Sequence, residues 1–240
     1  MWSKKNKLLI NPKKCFVLPI YKGKIDFSNI PPLLIDDTQL TFVNKIKNLG
    51  YVLNSDLSCC DHISAVVQKI YFVLRNLRIS AEYTPESIRL KLSKQLIFPI
   101  LHYFANVYCK LDSNSLNKLT VAMNSVTRYV YGLNWDASIS SWSKKLLGCN
   151  IENFSYIRSC IFLHKLLNCK QPKYLYDKIV FGFHQRNNKL LVPAYQYLNS
   201  SRLFFVNTIR IWNSLPDNIR NLQEESHFKQ SVKNYFYNKR

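Results

Sequence analysis

Glycine is scarce in this sequence, with five among 240 residues, at positions 23, 50, 132, 148 and 182. No two of them lie close enough to form a Walker loop or a G-x-G-x-x-G turn, because both motifs need glycines within a few residues of each other. A nucleotide-binding site built on a glycine-rich loop is therefore excluded.

Secretion signals, disulfide frameworks and membrane spans are also missing. Seven cysteines, an odd number that includes the adjacent Cys59 and Cys60, match no secreted framework and fit a reducing compartment. Only three consecutive apolar residues, 8–10, lie between Lys7 and Asn11, too few for a signal-peptide core. The longest apolar stretch, 96–109, is interrupted by Pro99 and is shorter than a bilayer span. We expect an intracellular protein, nuclear or cytoplasmic, that is not secreted and has no membrane partner.

Acidic residues are few, with 14 Asp and Glu against 34 Lys and Arg, which gives a net charge of +20. The excess is spread along the chain, at +6 for residues 1–50 (nine basic, three acidic), +5 for 51–150 (eleven and six) and +9 for 151–240 (fourteen and five). A polyanion would relieve this self-repulsion by displacing condensed counterions, so nucleic acid is the natural partner. A merely soluble basic surface is the alternative.

The apolar pattern predicts strands first and helices afterwards. Strands are expected at 15–21, 33–35, 40–43 and 49–53, with turns at 22–24 and 36–39. From Asp61 the apolar period changes to 3.6, which is typical of amphipathic helices. The predicted fold is therefore α+β and mostly α, with a small antiparallel β part followed by a helical bundle.

Helix boundaries follow from capping residues and prolines. The first helix begins near Asp61; the second takes Thr84 as its N-cap and Pro85 in its first turn, kinks at Pro99 and reaches Tyr108. The further predicted helices are one capped by Ser113 and ended by Gly132, one over 152–168, one over 202–212, a short one after Asp217, and a last one capped by Ser226. Residues 181–197 read as a loop with room for a short strand.

Several segments share an order and spacing that carry more information than any one of them. Residues 9–15 read L-I-N-P-K-K-C, and residues 47–58 read K-N-L-G-Y-V-L-N-S-D-L-S, followed by Asp61-His62-Ile63. The pattern continues through 96–103, 128–133 and 205–216. Together these segments resemble the C-terminal part of reverse transcriptases from non-LTR (LINE-type, jockey-like) retrotransposons, which are RNA-directed DNA polymerases of transposable elements.

The resemblance implies three regions: the end of a polymerase palm with β-hairpins (1–57), thumb-like helices (58–132) and a C-terminal helical region (133–240). The family holds two Mg²⁺ ions with an upstream aspartate and an aromatic-Ala-Asp-Asp turn, and neither element is found in this sequence. We therefore expect a truncated fragment that lacks the rest of the palm and the fingers, has no catalytic residue, metal site or cofactor of its own, and is inactive alone. Its partners would be an RNA template and a DNA primer.

The residues that the resemblance assigns to nucleic-acid contact are basic, apart from one glycine. They are Lys14, Lys45, Lys47, Gly50, Lys69, Arg75, Arg78, Arg89, Lys91 and Lys94. Lys14 matches a lysine that would face the departing pyrophosphate, although a solvated lysine at a strand edge is the alternative. Lys45 to Gly50 match the hairpin that supports the primer end, where glycine permits close backbone approach; a plain tight turn is the alternative. The remaining six would contact phosphates of the duplex, or simply form solvated helix faces.

Other candidate sites have plain structural explanations. Asp36-Asp37 is read as a hairpin turn in preference to a metal site, and Cys160, His164 and Cys169 as core residues in preference to zinc ligands. Aromatic residues near 195–197 and 235–237 could stack bases or fill the core. For the whole chain, the alternatives to a polymerase fragment are a decayed reading frame without function and a basic helical scaffold reused by the host.

Overall fold

The computed structural model describes residues 5–20, 30–103, 105–108, 111–182, 189–194 and 204–238. It is mostly helical with a few short strands, as the sequence predicted. The chain forms two compact units, Met1–His62 and Ile63–Arg240. None of the helices in the described ranges combines the length and the apolar character needed to cross a membrane.

The first unit contains a 3₁₀ turn, Pro12–Lys14, and six short strands. The strands are β1 (Phe16–Val17), β2 (Leu34–Ile35), β3 (Thr38–Gln39), β4 (Thr41–Phe42), β5 (Lys45–Asn48) and β6 (Tyr51–Asn54). They form three separate pairs: β1 with β4 in parallel, and β2 with β3 and β5 with β6 antiparallel. The parallel pair differs from the wholly antiparallel arrangement that we predicted.

The β2–β3 hairpin is tighter than the sequence indicated. Asp36 and Asp37 form its two-residue turn with φ of 45° and 61°, the left-handed values that match the twist of hairpin strands. The predicted four-residue turn was therefore wrong in its second half, because Thr38–Gln39 is the returning strand. The predicted turn at 22–24 lies outside the described residues.

The second unit is built from helices, α1 to α10 in chain order. They are α1 (Cys60–Ile79, which begins in the first unit), α2 (Glu86–Leu92), α3 (Phe98–His102), α4 (Ser113–Tyr131), α5 (Ser140–Leu147), α6 (Ile151–Cys169), α7 (Lys173–Tyr176), α8 (Phe204–Asn213), α9 (Asp217–Arg220) and α10 (Glu225–Asn238). Helix α4 packs on α2, α5 and α6, and α6 also packs on α8 and α10. The predicted helix start near Asp61 and the predicted helix over 152–168 are confirmed within a residue or two, whereas α5 was not predicted.

The core of the second unit is aliphatic and aromatic. Trp212, Phe228 and Phe236 are its largest fully buried side chains. Helix α1 contributes a stripe of four residues that are at most 4% exposed: Ile63, Val66, Ile70 and Leu74. Each such side chain contributes about 1.5–3 kcal/mol by leaving water, so burial of this stripe holds α1 in place.

Pro99 does not break the second predicted helix, which continues without a gap from Glu86 to His102. Its ring lacks an N–H and crowds the carbonyl of the preceding turn, and the chain passes through a π-helical turn, Ser93–Ile97, before α3 begins. Helix α3 ends at His102 because Tyr103 is extended (φ −64°, ψ 120°). A separate 3₁₀ turn, Ala105–Tyr108, takes the place of the predicted continuation.

Three predicted N-caps were wrong. Pro85 itself occupies the N-cap of α2, and Thr84 donates its hydroxyl to the Ser80 carbonyl. Asp112, one residue before the predicted Ser113, caps α4 by accepting the Ser115 amide at 2.9 Å. Ser226 lies inside α10, where its hydroxyl contacts the Glu224 carboxylate. The predicted end of α4 at Gly132 is confirmed, with φ of 64°.

The C-terminal loops agree with the prediction as far as they are described. Phe181 and Leu190 form an isolated antiparallel bridge. Asn213 holds the same segment, since its amide group accepts from Leu190 N at 3.0 Å and donates to Leu190 O at 2.7 Å. Residues 183–188 and 195–203 lie outside the described residues, so the predicted base-stacking residues 195–197 and the start of the helix over 202–212 are not placed.

Candidate nucleic-acid interface

The turn of the β5–β6 hairpin presents backbone and a glycine to solvent. Leu49 and Gly50 both have left-handed φ values, 48° and 86°, which is the pattern of a two-residue turn that follows the strand twist. Leu49 is 81% exposed although it is a leucine in a conformation that favours glycine. The turn is therefore strained as well as open, and no Cβ at Gly50 hinders an approaching backbone.

Lys45 and Lys47 lie on one face of this hairpin, because alternate residues of a strand point the same way. Both are exposed. Lys45 Nζ lies 3.3 Å from Asp61 Oδ2, an exposed pair that contributes little stability. The pair nevertheless neutralises part of the charge that Lys45 offers to a phosphate, which leaves Lys47 as the stronger candidate of the two.

The hairpin is tied to the residues that follow it in the first unit. Val52 directs its amide away from β5 and donates it to His62 Nδ1 at 3.3 Å, and the His62 and Tyr51 rings lie 4.4 Å apart. Asn54 donates to Ser58 Oγ at 3.1 Å. These bonds fix the hairpin against the start of α1, so its turn projects from a defined base.

Lys14 is exposed and lies in the 3₁₀ turn after Asn11. Asn11 organises that turn, since its side chain accepts the Lys13 amide at 3.1 Å and its carbonyl accepts the Lys14 amide at 3.0 Å. The Cys15 thiol donates weakly to the same carbonyl at 3.3 Å. Asn11 therefore holds the turn through both its side chain and its carbonyl.

The outward face of α1 joins cations to apolar side chains. Lys69, Arg75 and Arg78 are all exposed. Phe72 and Ile79 lie on the same side as Arg75 at helical spacing and are 69% and 82% exposed. After Asp61 the helix contains no acidic residue. The basic residues were predicted; the flanking Phe72 and Ile79 were missed, although the 3.6 period that buries the opposite stripe would have placed them outward.

Helix α2 and its π turn present Lys91 and Lys94 to solvent, whereas Arg89 is half-buried. The Arg89 guanidinium lies beside Gly132 at the end of α4. Its nitrogens are so close that a Cβ added at Gly132 would lie 3.4 Å from them. Its Nε atom is buried without a hydrogen-bond partner in the structure. The structure therefore separates Arg89 from the two exposed lysines with which the sequence grouped it.

The sequence raised two groups of residues as possible metal ligands. Asp36 and Asp37 form the left-handed turn of the β2–β3 hairpin. Within the part of the chain that the structure describes, no three His, Cys, Asp or Glu side chains group together. Cys160 is buried and Cys169 exposed, and His164 hydrogen-bonds the Leu222 carbonyl at 2.8 Å.

One half-buried histidine contact lies outside every predicted site. Arg158 Nη2 lies 2.8 Å from His102 Nδ1, and the His102 ring stacks on Phe154 at 5.1 Å. Burial, followed by the positive charge of Arg158, lowers the pKa of His102 to about 4. The imidazole is therefore neutral near pH 7 and accepts a hydrogen bond from the guanidinium. The sequence offered no signal for this pair, because 56 residues separate its members.

Comparisons with protein-family models, with curated proteins and with solved structures find no match to this chain.

Proposed function

We propose that this chain is a template- and primer-holding part of a non-LTR retrotransposon reverse transcriptase, and that it grips an RNA–DNA duplex without performing polymer synthesis itself. The observation that carries the proposal is the outward face of α1, where Lys69, Arg75 and Arg78 are exposed beside Phe72 and no acidic residue intervenes. A duplex presents two rows of phosphates, and neutralising them releases counterions.

The hairpin supports the same proposal in a different way. Its exposed turn places the Gly50 backbone where a sugar-phosphate can approach closely, and Lys47 stands on the adjoining strand. In the family that the sequence resembles, this is the element that supports the primer end. Contacts of this kind position a nucleic acid without reading its sequence, so we expect binding that depends on duplex form and on salt.

The test is a comparison of two polyanions. The full chain is titrated with an RNA–DNA hybrid and, separately, with heparin of matched charge, at several salt concentrations. The proposal expects the hybrid to bind well beyond heparin, with an affinity that falls steeply as salt rises. Equal affinities would show only a generic attraction to negative charge and would overturn the proposal.

A second candidate, a reading frame without a folded function, is favoured by one observation in the first unit. Among its described residues only Asn54 and His62 are buried, while Leu8, Leu9 and Phe16 are 55%, 100% and 46% exposed. A set of two-stranded pairs without a core is not stable by itself. Hydrogen exchange with and without the RNA–DNA hybrid decides between these two functions. Protection of the backbone amides of residues 45–53 on addition of the hybrid favours the duplex-holding part. Fast exchange that the hybrid does not change favours the reading frame without a folded function.

A further inference from the structure

Trp135 is one of the most exposed large side chains among the described residues of the helical unit. It lies three residues after Gly132, in the loop that follows α4, and is 86% exposed. Tryptophan is highly buried on average because of its large apolar surface. A ring left almost wholly in water is therefore open to a ligand on its faces.

The backbone that carries this ring is held in place. Arg128 donates from Nε to the Asn134 carbonyl at 3.3 Å and from Nη2 to the Trp135 carbonyl at 2.9 Å. The Leu133 amide bonds back to the Arg128 carbonyl at 3.1 Å, and the Ala137 amide to the Asn134 carbonyl at 3.3 Å. One guanidinium thus fixes both carbonyls at the base of the indole, so presenting the ring to a ligand costs little ordering of the loop.

The Arg128 guanidinium, which donates to the Trp135 carbonyl, brings a cation to the base of the ring, in a chain whose net charge is +20. Asp136 is the acidic neighbour of Trp135 in sequence. Lys145 Nζ lies 5.1 Å from the Tyr131 ring and 5.0 Å from the Trp142 ring. In the described residues between 111 and 173, Val121 and Trp135 are the exposed large apolar side chains. A protein-docking surface would need a contiguous apolar patch, which this region does not offer.

We propose that Trp135 is a stacking platform for an unpaired base of single-stranded nucleic acid. An isolated aromatic ring stacks on the face of any base, and nearby cations attract the adjoining phosphates. The site goes beyond the duplex-binding function proposed above, because it uses a different element and takes a different ligand. It does not depend on α1 or on the hairpin.

The experiment compares Trp135→Ala with Trp135→Phe in the full chain, using fluorescence anisotropy of labelled oligo(dT) and oligo(rU). The alanine variant is expected to lose about five- to hundredfold in single-strand affinity, the usual range for removing an aromatic platform. The phenylalanine variant keeps a ring and is expected to stay within a few-fold of the parent. Tyr174→Ala removes another exposed ring, 68% exposed in α7, and serves as the matched control.

Duplex binding separates this inference from the proposed function. Trp135→Ala is expected to leave affinity for the RNA–DNA hybrid unchanged, whether or not that affinity is high. Unchanged single-strand affinity in Trp135→Ala overturns the inference. So does equal loss in the Tyr174 control, or a Trp135→Ala variant whose only change is reduced self-association in sedimentation, which would identify the ring as a protein contact.

Discussion

Removing the cations of α1 is the sharpest perturbation that the structure offers. The triple variant Lys69→Gln, Arg75→Gln and Arg78→Gln keeps an unbranched polar side chain and similar helix propensity while deleting three charges. All three side chains are exposed, and the buried stripe on the opposite face is untouched. We therefore expect the fold and its thermal stability to be retained.

The magnitude follows from counterion release. Each cation that neutralises a duplex phosphate contributes about 0.9 to the slope of log affinity against log salt. Lys69 and Arg78 are nine residues apart, which places them on opposite margins of the exposed face, roughly 14 Å apart along the helix axis, with Arg75 between them. We expect Arg75→Gln alone to lower the slope by about 1 and the triple variant to lower it by about 2–3.

The assay is fluorescence anisotropy of an RNA–DNA hybrid from about 0.05 to about 0.3 M salt. In a plot of log affinity against log salt, the lines for the parent and the variant should approach each other as the salt concentration rises. The matched control removes three exposed charges elsewhere in the helical unit: Lys173→Gln, Lys178→Gln and Lys233→Gln. The reasoning is refuted if the control lowers the slope as much as the α1 variant, because binding would then follow net charge alone.

Three further predictions concern the helical unit. The pKa of His102 falls from 6.5 to about 4 on folding, so the folded state binds fewer protons than the unfolded chain. Stability should therefore be full above pH 6.5 and fall toward pH 4 by on the order of 1 kcal/mol after discounting for partial exposure. His102→Gln should flatten this fall when the free energy of urea denaturation is measured as a function of pH. Asp112→Ala should cost about 1 kcal/mol by freeing the Ser115 amide, whereas Asp112→Asn, which keeps the cap, should not; equal losses would contradict the capping role. Iodoacetamide should modify exposed Cys60 and spare Cys149 in the folded chain, since burial raises the pKa of Cys149 to about 12; mass spectrometry that finds Cys149 labelled first would disprove its burial.

Long amphipathic helices were the most predictable part of the fold. The apolar residues of α1 recur at 3.6 spacing over 20 residues, so both its buried stripe and the exposure of Lys69 and Arg75 follow from one pattern. Helix α5 gave no comparable signal, because it has eight residues and buries only Leu146. Its end at Gly148 is clear only once the helix itself is known.

Other features could not be predicted because two neighbouring residues suit the same role or because tertiary contacts decide them. Asp112 and Ser113 are both good N-caps, and only the bond from the Ser115 amide shows which one is used. The half-burial of Arg89 depends on the end of α4 at Gly132 arriving beside it, a contact between residues far apart in sequence. Trp135 is exposed for a similar reason, since the bonds from Arg128 set the course of its loop.

Photocrosslinking identifies the residues that a bound RNA–DNA hybrid touches. A hybrid with a photoreactive nucleotide at the primer 3′ end and another within the duplex is bound to the full chain, irradiated, and the crosslinked peptides are identified by mass spectrometry. We predict that the primer end crosslinks to residues 45–53 and the duplex label to α1. Crosslinks confined to α8 and α10, or scattered in proportion to exposed lysine, would contradict the account.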